Sequence, residues 1–141
     1  MLKPLLYLTL CLFLPLGALA HTDQTEPQPE TFIMPVGDTE ITMQKYFMAF
    51  LKKGPNRDQS EAEQAEIQKN HLAYLSSLYV DGFTSITGPV ETETDLQGFV
   101  VFNTATKEQA MELMKKDPAV RAGRLVIEIV PWWAAKGSVL K

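Results

Sequence analysis

Residues 60–82 read SEAEQAEIQKNHLAYLSSLYVDG. Ser60 followed by Glu63 is a capping box, in which the hydroxyl accepts the N3 amide and the N3 carboxylate reaches back to the N-cap amide. From there Ile67, His71, Tyr74, Leu75 and Leu78 recur at steps of three and four. That spacing puts them on one face of a helix running to Val80. Asp81-Gly82 closes the helix, with glycine in the left-handed position after the last turn.

The flanking segments read as strands. Gln44–Leu51 is an aromatic and apolar run that suits a central strand, ended by the turn chemistry of Lys52-Lys53-Gly54-Pro55-Asn56. Beyond the helix, Phe83–Ile86 is a short strand stopped by Gly88-Pro89, and Glu91–Asp95 is an acidic loop. Leu96–Asn103, LQGFVVFN, is a stronger strand. Thr106 with Gln109 caps a second helix, whose inner side carries Ala110, Leu113 and Met114. Asp117-Pro118 stops it, because the residue before proline disfavours helical dihedrals. Leu125–Val130 is the last strand, ended by Pro131-Trp132-Trp133. The order β-α-β-β-α-β with short links favours an α+β, ferredoxin-like split βαβ fold: an antiparallel sheet with both helices on one face. The uncovered sheet face is expected to be closed by a second copy, giving a homodimer of α/β-barrel-like form.

The N-terminal residues are of a different kind. Lys3 precedes a nearly unbroken apolar run from Leu5 to Leu16, and Ala18-Leu19-Ala20 offers small residues where a signal peptidase reads. Residues 1–20 are therefore expected to be a signal peptide and the product periplasmic or secreted. The run is too short for a membrane-spanning helix of about 20 residues, which weighs against an uncleaved anchor. Cys11 lies inside this run after Leu10, not after a small residue, which weighs against lipid attachment. Without Cys11 the remainder has no disulfide, thiolate nucleophile or cysteine metal ligand. Residues 21–43, rich in Thr, Gln, Pro and Glu, read as a disordered leader, with Phe32–Val36 a short apolar patch that either docks or forms an edge strand. The domain spans 44–133 and a C-terminal tail 134–141. Loss of Lys3 from 13 basic residues against 17 acidic leaves a net charge of about −5. That balance offers no basic stripe for nucleic acid and no attraction to anionic membranes.

Few residues can carry chemistry. His71 sits in the middle of the helix's apolar face, between Ile67 and Leu75. An imidazole there is either a core histidine with a satisfied ring N–H or a general base or acid held by a carboxylate. Asp117, before Pro118, is the best candidate carboxylate, and also reads as a helix stop and local cap. Arg121 and Arg124 are candidates for holding a substrate carboxylate. Tyr74 and Trp132 could line an aromatic wall, or be core or dimer contacts. His21 would be the first residue after cleavage and could chelate copper, but only His71 remains to assist it. There is no His-x-x-His, HExxH, cysteine pair, Walker or GxGxxG sequence. Neither a metal nor a cofactor is called for.

Taken together, Asn70–Leu75 (NHLAYL), Asp81-Gly82, Gly88-Pro89, Gly98–Phe102 (GFVVF), Asp117-Pro118, Ala122-Gly123 and Pro131-Trp132 resemble the YCII-related (YciI-like) domain family over about residues 44–133. The resemblance implies a ferredoxin-like homodimer with a pocket beside the sheet, acting on or binding a small molecule. It also implies a histidine–aspartate dyad, which falls on His71 and Asp117. The signal peptide and the acidic leader depart from typical members, so a cytoplasmic relative's substrate does not carry over. Two functions follow: an enzyme moving protons on a small organic substrate, or a non-catalytic ligand-binding or accessory module of the cell envelope.

Overall fold

The computed structural model describes residues 27–141. The expected signal peptide, Cys11 and His21 lie outside the described residues. Five strands and three helices follow in the order β1 (Thr31–Val36), β2 (Thr39–Lys53), α1 (Glu61–Val80), β3 (Thr84–Pro89), β4 (Leu96–Phe102), α2 (Lys107–Met114), α3 (Pro118–Arg121) and β5 (Leu125–Ala135).

All strand pairs are antiparallel. The core of the sheet runs β5-β2-β4-β3, the order that a split βαβ arrangement with two crossovers produces. β5 lies along β2 from Met43 to Lys53. On the opposite edge, β4 takes Phe47–Lys52 and β1 takes Thr39–Gln44. Alternation divides the sheet into two faces. Phe47, Ala49 and Leu51 of β2, Val100 and Phe102 of β4 and Ile129 of β5 join Leu75 and Leu78 of α1 with Ala110 and Met114 of α2 in one buried cluster. Both longer helices thus cover the same face, as the βαββαβ reading requires. The face of α1 set by sequence spacing is the one that is buried: His71, Leu75 and Leu78 fully, Ile67 and Tyr74 in part.

Residues 31–43, expected to belong to a disordered leader, are ordered: the Phe32–Val36 patch takes the edge-strand alternative as part of β1, and the residues after the turn start β2. Gly37, with φ +59°, opens a two-residue turn between Val36 and Thr39, as a type II′ hairpin demands. Phe32 packs edge-on against Trp133 at 4.9 Å between ring centres, and Lys45 lies over the same indole. Mean composition suggests disorder here because most of these side chains face outward. The ladder of β1 runs to β2, and the ring contact that adds to it comes from β5, about a hundred residues away along the chain. β5 is also longer than expected. It continues through Pro131 to Ala135, so the C-terminal tail starts two residues late. Proline is tolerated there because β5 is an edge strand with one side free of ladder bonds. The second helix ends at Met114, earlier than expected, and Asp117-Pro118 opens α3, with proline at the first helical position.

Candidate functional site

His71 and Asp117 meet although 46 positions separate them. α1 presents the imidazole toward the end of the sheet, and the α2–α3 corner presents the carboxylate. His71 Nδ1 and Asp117 Oδ2 are 2.7 Å apart. The other carboxylate oxygen, Oδ1, accepts the Ala119 amide at 2.8 Å and the Val120 amide at 3.3 Å. One side chain therefore caps α3 and fixes the histidine. Asp117 is wholly shielded from solvent and His71 is 7% exposed.

This arrangement sets the protons. A carboxylate accepts only, so Nδ1 must carry the N–H and Nε2 of a neutral ring is left with its lone pair. Nε2 makes no hydrogen bond among the described residues. The sole fully buried side-chain polar atom without a partner among them is Thr84 Oγ1, so Nε2 keeps an opening. His71 lies in the wall of a cavity of about 500 Å³ at the end of the sheet. Its apolar lining includes Leu51, Leu72, Leu75 and Leu125, and its polar lining includes Arg57, Gln68, Gln97 and Arg124. A compact apolar pocket with a few convergent polar groups suits a small molecule. A neighbouring groove of about 580 Å³ shares Leu72, Leu75 and Thr87 with it, but carries Tyr79 as its one ionisable side chain. Among the described residues, no three His, Cys, Asp or Glu side chains converge as a metal site.

The remaining candidates separate. Arg124 lines the cavity, with its guanidinium held by Gln59 at 2.8 Å and Gln64 at 3.3 Å. Arg121 is exposed on α3 and is not in the cavity wall. Tyr74 donates its hydroxyl to the Leu113 carbonyl at 2.7 Å, tying α1 to α2. Burial, aided by the negative charge of Asp117, pushes the Tyr74 phenol above its ordinary pKa. Trp132 is opposite Tyr46 on the other face of the sheet, 6.1 Å between ring centres, away from the cavity. Arg57 was missed by sequence reading. It belongs to the loop after β2, where Gly54-Pro55-Asn56 reads only as a strand stop. The available signal is Gly54 itself: a Cβ there would come within 2.3 Å of the Gly123 carbonyl oxygen. This loop is therefore pressed against the chain that leads into β5.

Among curated proteins, none matches this chain. Muconolactone isomerase is similar in structure, with a TM-score of 0.53 and 12% identity over 68% of this chain and 96% of that one. A further solved structure is 5-chloro-2-hydroxyhydroquinone dehydrochlorinase from Burkholderia phenoliruptrix AC1100 in complex with 2,5-dihydroxybenzoquinone. It aligns with a TM-score of 0.46 and 23% identity over 62% of this chain and 92% of that one. The model of the YCII-related domain matches residues 46–133, from the middle of β2 to the tryptophan pair of β5 and including both dyad residues; the chain belongs to the YCII-related domain family.

Proposed function

We propose that this protein is a small exported enzyme that uses the His71–Asp117 pair for proton transfer on a small organic substrate, in a lyase, isomerase or hydrolase type of reaction. The observation that carries this reading is the 2.7 Å contact between a solvent-shielded carboxylate and a histidine that lines a cavity. Asp117 fixes the tautomer and stabilises the imidazolium that forms when Nε2 takes a proton. Nε2 can then return that proton to another atom of the same substrate, to a leaving group, or to water. Help of this kind is worth roughly 10²–10⁴ in rate. The export part rests on residues 1–20 of the sequence. The working form is a homodimer, supported by the apolar outer sheet face, where Met48, Phe50, Val101 and Val130 stand together by strand register.

Deuterium incorporation reads the proton-transfer step whatever the final product. A panel of lactones and enolisable carbonyl compounds is incubated with the protein in D₂O and followed by proton NMR. Exchange catalysed by the wild type should fall at least about 100-fold in His71→Ala and in Asp117→Asn. Turnover that survives both substitutions removes the dyad from the mechanism.

One observation favours a second reading. Asp117 also caps α3, so a structural role is enough to account for the pair, which fastens α1 to the α2–α3 corner. In that case the protein is a non-catalytic dimeric module that binds a small ligand. His71→Ala then lowers the thermal midpoint markedly and alters ligand binding, and no member of the panel exchanges.

A further inference from the structure

The cavity is electropositive in an acidic chain. Its wall carries the guanidinium groups of Arg57 and Arg124, and no aspartate or glutamate lines it, whereas the whole sequence carries a formal net charge of −4. Neither arginine takes part in an ion pair among the described residues. The two differ in what they have left to offer. Arg124 uses both terminal nitrogens on the neutral amide oxygens of Gln59 and Gln64, so it contributes charge but few free donors. Arg57 uses only Nε, donated to the Gly54 carbonyl at 3.2 Å, and its two terminal nitrogens have no acceptor among the described residues.

Arg57 is exposed, yet its loop is fixed. The Gly54 amide donates to the Arg124 carbonyl at 2.8 Å and the Asn56 amide to the Gly123 carbonyl at 3.1 Å. The Asn56 side chain adds a bond to the Ala122 carbonyl at 3.2 Å. Gly123, with φ +69°, makes room for Asn56 where a Cβ would meet its amide nitrogen at 2.5 Å. A planar fork with free parallel donors, held at the mouth of a cavity, matches a carboxylate or a delocalised oxyanion. A positive field over the opening also raises the local concentration of such anions.

We infer that the ligand of this cavity is a small organic anion, an apolar or aromatic body bearing a carboxylate or ring oxyanion, and that Arg57 is the residue that holds the charged end. The inference rests on the cavity being the substrate site, as proposed above. The apolar lining takes the body of the molecule and leaves its reacting carbon beside His71 Nε2.

The test pairs probes of matched shape, one charged and one neutral: benzoate with benzamide, and phenylacetate with phenylacetamide. Each is titrated into the purified protein while the backbone amides of Leu72, Gly98 and Phe99 are followed by ¹H–¹⁵N NMR. The carboxylates should shift these amides and bind more tightly than their amides. Arg57→Gln should weaken a carboxylate by roughly ten- to a hundred-fold and leave the neutral probes unchanged. Equal affinity for acid and amide, no shift from either acid, or undiminished binding to Arg57→Gln would overturn the inference. The same titration on His71→Ala separates it from the proton-transfer reading. Arg57-dependent anion binding that persists there stands even if deuterium exchange never depends on the dyad.

Discussion

Asp117 is the residue on which local structure and the proposed chemistry both turn. Its two oxygens are divided between a histidine and two helix amides. Asp117→Ala removes all three interactions and leaves buried donors unpaired, which should cost about 3 kcal/mol in urea denaturation. Asp117→Asn keeps an oxygen for the cap and should cost clearly less. A loss of similar size in both would place the stabilising role in the charge instead of the cap. Among single residues the sequence was partly legible. Helical spacing put His71 on the inner face of its helix, and an Asp-Pro pair marked a carboxylate free to turn inward. Arg57 was not legible, because its place depends on backbone bonds between residues 54–56 and 122–124, which leave no periodic trace.

At the level of elements, the site depends on how α1, α2 and the loop after β2 are fastened. Tyr74 bonds across to α2, so Tyr74→Phe should cost about 1 kcal/mol. Its raised pKa also has a sign. The unfolded phenol ionises near its ordinary value of 10.0 while the folded one retains its proton. The stabilisation is therefore complete below that value and is lost as pH rises toward and through the folded pKa. Thermal midpoints measured on the alkaline side should fall less steeply in Tyr74→Phe than in the wild type; parallel curves would contradict this. The β2 loop has its own test. Gly54→Ala forces a Cβ against the Gly123 carbonyl and should destabilise by about 1–3 kcal/mol, while weakening benzoate binding through displacement of Arg57. The two capping boxes were readable because each is local, closed within four residues. The β1 hairpin was legible only as one of two alternatives for Phe32–Val36, because the contact that adds to its ladder with β2, Phe32 on Trp133, is supplied by the far end of the chain.

For the whole molecule, the sheet has one face filled by helices and another that carries Met48, Phe50 and Val130 beside the Lys52–Glu128 ion pair. A hydrogen bond from Lys52, reinforced by its charge, holds the Glu128 carboxyl below its ordinary pKa. The proposed pairing of two such faces accounts for apolar side chains alternating to the outer side as well as the inner one. Met48→Glu, placed in the middle of that face, should turn a dimer into a monomer by light scattering with little change in helical content. A wild type already monomeric at micromolar concentration would remove the dimer from this picture. The βαββαβ order was legible because each element announces itself by period and cap. The need to cover the outer face was legible from the topology, and a second copy was expected there, but no single residue names that contact.

The proposed chemistry requires that a shielded carboxylate hold His71 with Nε2 free to accept a proton. Long-range ¹H–¹⁵N correlation of the neutral imidazole reads this directly, in the wild type and in Asp117→Asn. In the variant, the amide oxygen must stay with the Ala119 and Val120 donors, which turns the NH₂ group toward Nδ1. An NH₂ can only donate, so the ring proton must move to Nε2. The expected result is an Nδ1–H tautomer in the wild type and an Nε2–H tautomer in the variant. The same tautomer in both proteins, or an Nε2–H ring in the wild type, would contradict it.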